Sequence, residues 1–297
     1  MWFLMEILSY TFGALKSQQP PPLTQNEVIS KEVSYVEKID NFSLQEFDQQ
    51  NRLSHTVKAK SYLNFKNMPA LLLQPKVTTF NELDEPDYIL SSDRANYLKN
   101  GDIKFSGAVD VQSGNGITHK MQTEELLVNS ETDDLISHQP VTYLGEQTKM
   151  LSQGMHMRSK SDQLKLTGKT RITQDQGQTL LTKDLYVDQS QGKKHYYSDH
   201  DTTYLAPENK IYAQGVDMDM RNKVVQLLGS VQLVQNTGSK INTQDLTVDQ
   251  SADGEIYRTQ EKIHYLSDIA NIQAIGMHYD AKKQKIKLTG GVTGRYE

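Results

Sequence analysis

Hydrophobic and polar residues alternate along this chain in short runs. Ile103, Phe105, Val109 and Val111 fall on one side of an extended segment, with Lys104, Ser106 and Asp110 on the other. Leu164, Leu166 and Ile172 repeat the pattern against Lys165 and Lys169, as do Val225, Leu227, Val231 and Leu233 against Gln226, Ser230 and Gln232. A period of two puts alternate side chains on opposite faces of a strand, so these runs predict half-buried β-strands. Shorter strands are expected at Leu185–Val187 and Leu246–Val248, after the polar turns Asp175–Gln178 and Asn236–Ser239. Helical periodicity is weak beyond the first fifteen residues, and turn signals are frequent, as in an all-β chain.

The runs belong to a repeat. IKFSGAV starts at Ile103, LKLTGKT at Leu164, VQLLGSV at Val225 and IKLTGGV at Ile286, each 61 residues after the last. Gly107, Gly168, Gly229 and Gly290 keep that spacing, and so do Gly154, Gly215 and Gly276. TKDLYVDQS from Thr182 and TQDLTVDQS from Thr243 form a third series, with TEELLVNSE from Thr123 displaced by two residues. Glycine inside a strand marks a bulge, bend or close backbone approach. Gly107, Gly168 and Gly229, with Gly154 and Gly215, are therefore read as structural bend and turn positions rather than ligand contacts. A unit of 61 residues holds several strands added in sequence to a continuous core. The ends of such a stack carry unpaired backbone groups, which invite another strand-bearing protein to dock.

Composition narrows the function. The chain has 297 residues and a net charge of −5, with no basic run, which disfavours a nucleic-acid partner. It has no cysteine, so disulfides, CxxC zinc sites and thiol nucleophiles are excluded. The segment MWFLMEILSYTFGAL is apolar but contains Glu6 and is shorter than the roughly 20 residues a membrane span needs. It is read either as a buried or interfacial start or, preferably, as an anchor that begins upstream of Met1. The tether bearing Pro20, Pro21 and Pro22 follows it. The densest group of candidate metal or catalytic residues is HYYSDHD, with His195, Asp199, His200 and Asp201, read as a solvated loop. His156 and His278 sit at equivalent repeat positions, but Asp217 replaces them between, which favours a surface role. Asp217–Asp219 lacks the glycine and glutamate of a calcium loop, and no GxSxG, P-loop or GxGxxG is present. No catalytic residue, metal or cofactor is expected.

In order along the chain, Phe47–Asp48, AKSYLNF at Ala59–Phe65, LLLQPKVTTF at Leu71–Phe80 and YILSSDRANY at Tyr88–Tyr97 precede GDIKFSGAVDV at Gly101–Val111. MQTEELLVN at Met121–Asn129, QPVTY at Gln139–Tyr143 and SQGMHM at Ser152–Met157 follow. This series resembles the LptC family of lipopolysaccharide-export proteins over Ile39 to about Ile172, and residues from 173 onward resemble repeats of the related LptA family. The chain is longer than the LptC pattern by about two repeats.

The resemblance implies an antiparallel β-jellyroll or β-taco, a V-shaped stack of two sheets, here in units of about 61 residues with a short N-terminal apolar helix. It implies an anchor at 1–16, a tether at 17–32, an LptC-like domain at 33–172 and LptA-like repeats at 173–297. The implied role is single-pass attachment to the inner membrane, with the bulk of the chain in the periplasm of a Gram-negative bacterium. The protein would take lipopolysaccharide from an LptBFG-type ABC transporter and pass it to LptA docked on the C-terminal edge. From the residues alone, the inward apolar side chains are a closed core. With the resemblance, Phe105, Val109, Leu164, Leu166, Val225, Leu227, Ile286 and Leu288 line a groove for acyl chains. Two alternatives stay open: a soluble LptA-like bridge, and a closed-core structural repeat protein without lipid.

Overall fold

A computed structural model describes residues 35–296 apart from 49, 82, 115–119, 130, 133, 146–147, 159–162, 189, 191–192 and 252–253. The expected N-terminal helix, anchor and most of the tether lie outside these residues. Among the described residues no helix is long and apolar enough to cross a membrane.

The described residues are all-β and antiparallel, as the alternation predicts. The strands are β1 (Glu37–Phe47), β2 (Leu53–Asn64), β3 (Ala70–Leu73), β4 (Lys76–Phe80), β5 (Pro86–Ser91), β6 (Arg94–Tyr97), β7 (Ile103–Ser113) and β8 (Lys120–Val128). Then come β9 (Leu135–Ser137), β10 (Val141–Leu144), β11 (Thr148–Ser152), β12 (Gly154–Arg158), β13 (Gln163–Gln174), β14 (Thr179–Asp188), β15 (His195–Ser198) and β16 (Thr202–Leu205). The last are β17 (Asn209–Ala213), β18 (Gly215–Asp219), β19 (Val224–Gln235), β20 (Lys240–Asp249), β21 (Ile256–Leu266), β22 (Ala270–Asp280), β23 (Lys285–Leu288) and β24 (Thr293–Tyr296). They form two compact units: the first holds β1–β10 and β12, the second β11 and β13–β24.

In the second unit the strands follow one another in space. β14 pairs with β15 and β16 laid end to end, these with β18 and β17, and those with β19, followed by β20, β21 and β22. Every one of these strands is interrupted near its middle. Register slips between Leu166 and Lys169, between Leu227 and Ser230, and between Thr259 and Lys262. The shorter strands break instead, at Asp199–Asp201 and at Gln214. The first unit shows the same interruption between Ser106 and Val109, opposite the break between β5 and β6.

The bends have a common chemistry. Gly168 and Gly229 lie at φ of 72° and 75°, where a side chain is strained, and the facing Asp184 and Asp245 are also left-handed at 49° and 40°. The slipped register withdraws backbone donors from the ladder, and side-chain oxygens replace their partners. Gly168 N–H donates to Asp184 Oδ1 and Gly229 N–H to Asp245 Oδ1, both at 2.7 Å. From the other side Lys169 N–H donates to Gln153 Oε1 at 2.9 Å, and Ser230 N–H to Gln214 Oε1 at 3.0 Å. The glutamines, glycines and aspartates of these two clamps are each 61 residues apart. At Gly107, φ is 76° and Asp93 occupies the space a Cβ would need.

Bending folds the second unit onto itself. Gln178, at the start of β14, donates to Glu255, in the turn after β20, at 3.3 Å. In a flat sheet these positions lie at opposite ends of ten-residue strands and four strand spacings apart, on the order of 40 Å. The hydrogen bond therefore requires the two halves of the strands to face each other. Val216, Val225, Leu227, Leu185 and Ile211 fill the space between them. In the first unit Val57, Val77, Leu90, Phe105 and Leu126 are packed as tightly. Buried hydroxyls mark the bend from within: Thr202 to Thr182 at 2.9 Å, Thr182 to Ser198 at 3.1 Å, and in the first unit Thr123 to Ser137 at 2.9 Å.

Two expectations are corrected here. The strands expected at Leu185–Val187 and Leu246–Val248 run over Thr179–Asp188 and Lys240–Asp249. Their inward residues are Leu180 and Thr182, then Leu185 and Val187, because the bulge at Asp184 shifts the alternation by one. The HYYSDHD segment is a loop only in its second half: His195–Ser198 is β15, with His195 paired to Asp217 at 2.7 Å, whereas Asp199–Asp201 lies in the break before β16.

A side chain at a clamped bend meets both strain and a filled space. Gly229→Ala, with Gln214 Oε1 2.4 Å from the added carbon, is expected to cost about 2–3 kcal/mol in urea unfolding. Gly238→Ala, also at positive φ but with open space around it, is expected to cost about 1 kcal/mol. His55 makes a second case. It is buried beside Glu46 at 3.2 Å, and burial lowers its imidazole from 6.5 to about 4. The neutral form is the folded one, so stability is full above the unfolded value and is lost as pH falls from 6.5 toward 4. Urea midpoints taken across that range should show His55→Gln losing up to about 3 kcal/mol less than the parent.

Candidate lipid-binding interior

The inward face of each unit is built by the alternation, with polar partners turned outward. Phe105 and Val109 on β7 are closed to solvent in the first unit, and Leu166, Val225 and Leu227 in the second. Leu164 is half-buried on β13, and Ile286 and Leu288 are half-buried on β23. The outward set is solvated and paired: Lys104 with Glu125 at 2.9 Å, and Lys165 over the Tyr186 ring at 4.7 Å. Gly107 and Gly168 sit on the bend itself with Gly229, whereas Gly154 and Gly215 open β12 and β18 immediately after it.

A polar cluster that sequence reasoning missed lies inside the second unit. Glu255 accepts hydrogen bonds from the Tyr204 and Tyr257 hydroxyls. It also accepts from Gln178 Nε2 at 3.3 Å and Gln250 Nε2 at 3.4 Å. Gln250 Nε2 reaches Tyr204 Oη at 2.7 Å and Gln174 Oε1 at 3.3 Å, and Asn209 Nδ2 donates to Tyr257 Oη at 3.3 Å. Tyr204, Tyr257, Asn209, Gln178 and Glu255 are all buried. Burial first, and then the neighbouring Glu255 carboxylate, raise both phenols above their ordinary range, so they remain donors. Among the described residues the Oε1 of Gln178 and the Oδ1 of Asn209 have no hydrogen-bond partner. The missed signal is a break in the repeat, since the position 61 residues before Glu255 is Lys194, which is exposed.

The histidines make outer pairs, His156 with Asp134 at 2.7 Å and His200 with Asp199 at 2.8 Å. Among the described residues no three His, Asp or Glu side chains converge as a metal ion would need.

The sequence model of a family described as lipopolysaccharide-assembly, LptC-related, matches residues 3–175, 157–236 and 232–297. The chain belongs to this LptC family. The second and third matches show the family pattern recurring along the C-terminal half. No curated protein matches the chain. LptC proteins are envelope-associated and serve lipopolysaccharide transport, and the family is one of binding and transport proteins, not of enzymes.

The lining residues differ from their outward neighbours in what they hold together. Phe105→Ala and Leu227→Ala are expected to cost about 3–5 and 2–5 kcal/mol in chemical denaturation. Lys104→Ala and Gln226→Ala are expected to stay within about 0.5 kcal/mol of the parent.

Proposed function

We propose that the protein carries lipopolysaccharide through the periplasm with its acyl chains between the two halves of the bent strands and its sugar and phosphate head in water. The membership of the whole chain in the LptC family, joined to an apolar inner face in each of the two units, is the observation that carries this reading. Each shielded methylene contributes about 0.8 kcal/mol, so several acyl chains bind firmly without a charged pocket. In this reading the sheets form the jellyroll or taco of the family, and residues 1–16 anchor the chain to the inner membrane. The LptC-like part at 33–172 receives the lipid from the ABC transporter, and the repeats at 173–297 extend the path. Phe105, Val109, Leu164, Leu166, Val225, Leu227, Ile286 and Leu288 line it.

LptA docks on the C-terminal edge. β23 and β24 pair with β22 on one side, and every residue of β24 is exposed. Val292 and Tyr296 add exposed apolar surface there. Such an edge suits strand addition.

A second reading, a closed-core repeat protein, draws support from the complete burial of Phe105, Val225 and Leu227. Photo-crosslinking in living cells separates the two, with probes at Phe105, Leu166 and Leu227 and outward controls at Lys104, Lys165 and Gln226. Lipopolysaccharide adducts are expected at the three inward sites and not at the controls. Their absence from every inward site, with the protein folded and the transporter active, means a closed core and ends the carrier reading.

A further inference from the structure

An interior as tightly closed as that of the second unit can take up lipid only where its walls come apart. Strand ends in this unit are of two kinds. The turns 175–178, 206–208 and 236–239 lie at one end of the strands, and the turn 220–223 lies at the other with residues 250–251 and 254–255. Gln174, Gln178, Tyr204 and Asn209 belong to the first set, and Gln250, Glu255 and Tyr257 to the second. Each hydrogen bond of Glu255 to Gln178 and Tyr204, of Gln250 to Gln174 and Tyr204, and of Asn209 to Tyr257 therefore crosses from one set to the other. The bend closes one side of the interior covalently, strand by strand. The side opposite is held here by side chains.

We propose that the Glu255 cluster is a gate through which acyl chains enter the second unit sideways. This rests on the carrier reading given above. The chemistry suits a contact that opens. A permanent closure is made more cheaply from apolar side chains, since a buried carboxylate must be desolvated. Opening an apolar lip exposes its whole area to water. Opening a polar one exchanges each hydrogen bond for one to water, at little net cost. The closed state is also incompletely satisfied, because the carbonyl oxygens of Gln178 and Asn209 are buried without partners among the described residues and would gain them on hydration. Glu255 departs from the repeat at this point, with Lys194 in the equivalent exposed position of the preceding unit.

The chain has no cysteine, which allows the gate to be locked selectively. Gln178 and Gln250 both reach the same oxygen of Glu255 from opposite sets of turns. The full chain carrying Gln178→Cys and Gln250→Cys, with a photo-probe at Leu227 or Phe105, is treated with a short bismaleimide and incubated with purified lipopolysaccharide. Each single-cysteine protein and the untreated pair serve as references, and unfolding midpoints establish that all are folded. The locked pair is expected to lose the Leu227 adduct and keep the Phe105 adduct, while the references keep both. An undiminished Leu227 adduct in the locked pair overturns the gate and leaves the carrier reading standing. No adduct at either site in the untreated protein removes the carrier reading and the gate with it.

Discussion

The structure depends on one constraint: every strand of a unit must bend at the same level. A single bulge in an otherwise straight sheet would tear the ladder, because its neighbours would run on while it turned. The chain meets this by placing Gly168 and Gly229 at left-handed φ and by supplying Asp184, Asp245, Gln153 and Gln214 as substitute acceptors for the amides the bulge releases. The clamp reaches from the preceding strand and from the following one. Bending of each strand is therefore coupled to bending of its neighbours. The strained aspartates are held by the hydrogen bonds they accept from Gly168 and Gly229.

The apolar interior and the polar rim follow from that line. Once the strand halves face each other, side chains of one parity are enclosed by two walls rather than one, which is why Val216, Val225 and Leu227 are fully buried in a chain of modest hydrophobic content. Beside the bend threonine and serine also face inward, with hydroxyls that hydrogen-bond one another. Away from the bend the strand ends meet again, and there the chain sets a carboxylate among phenols and amides. In the proposed carrier the walls must shield hydrocarbon and also separate, tasks that these two kinds of contact would divide between the bend and the rim.

The sequence by itself determined the strands, their inward faces and the spacing of the bends. Period-two alternation is a local consequence of strand geometry, and Gly107, Gly168 and Gly229 report left-handed backbone wherever they stand. Membership of the LptC family was legible for a related reason, since the order of strand motifs is a linear property. Two kinds of information were not linear. The inward parity of β14 and β20 changes at Asp184 and Asp245, residues that read as ordinary surface acids because nothing in composition marks a left-handed aspartate. Their strands therefore looked half as long as they are.

The Glu255 cluster was decided by tertiary structure alone. Its members come from five separate places in the chain, and the hydrogen bonds that join the two sets of strand ends span 46 to 77 residues. In sequence Glu255 is one acid in a polar turn. Its burial arises only because the bends bring opposite strand ends together, and a contact made by folding a sheet over leaves no periodic trace in the residues that make it.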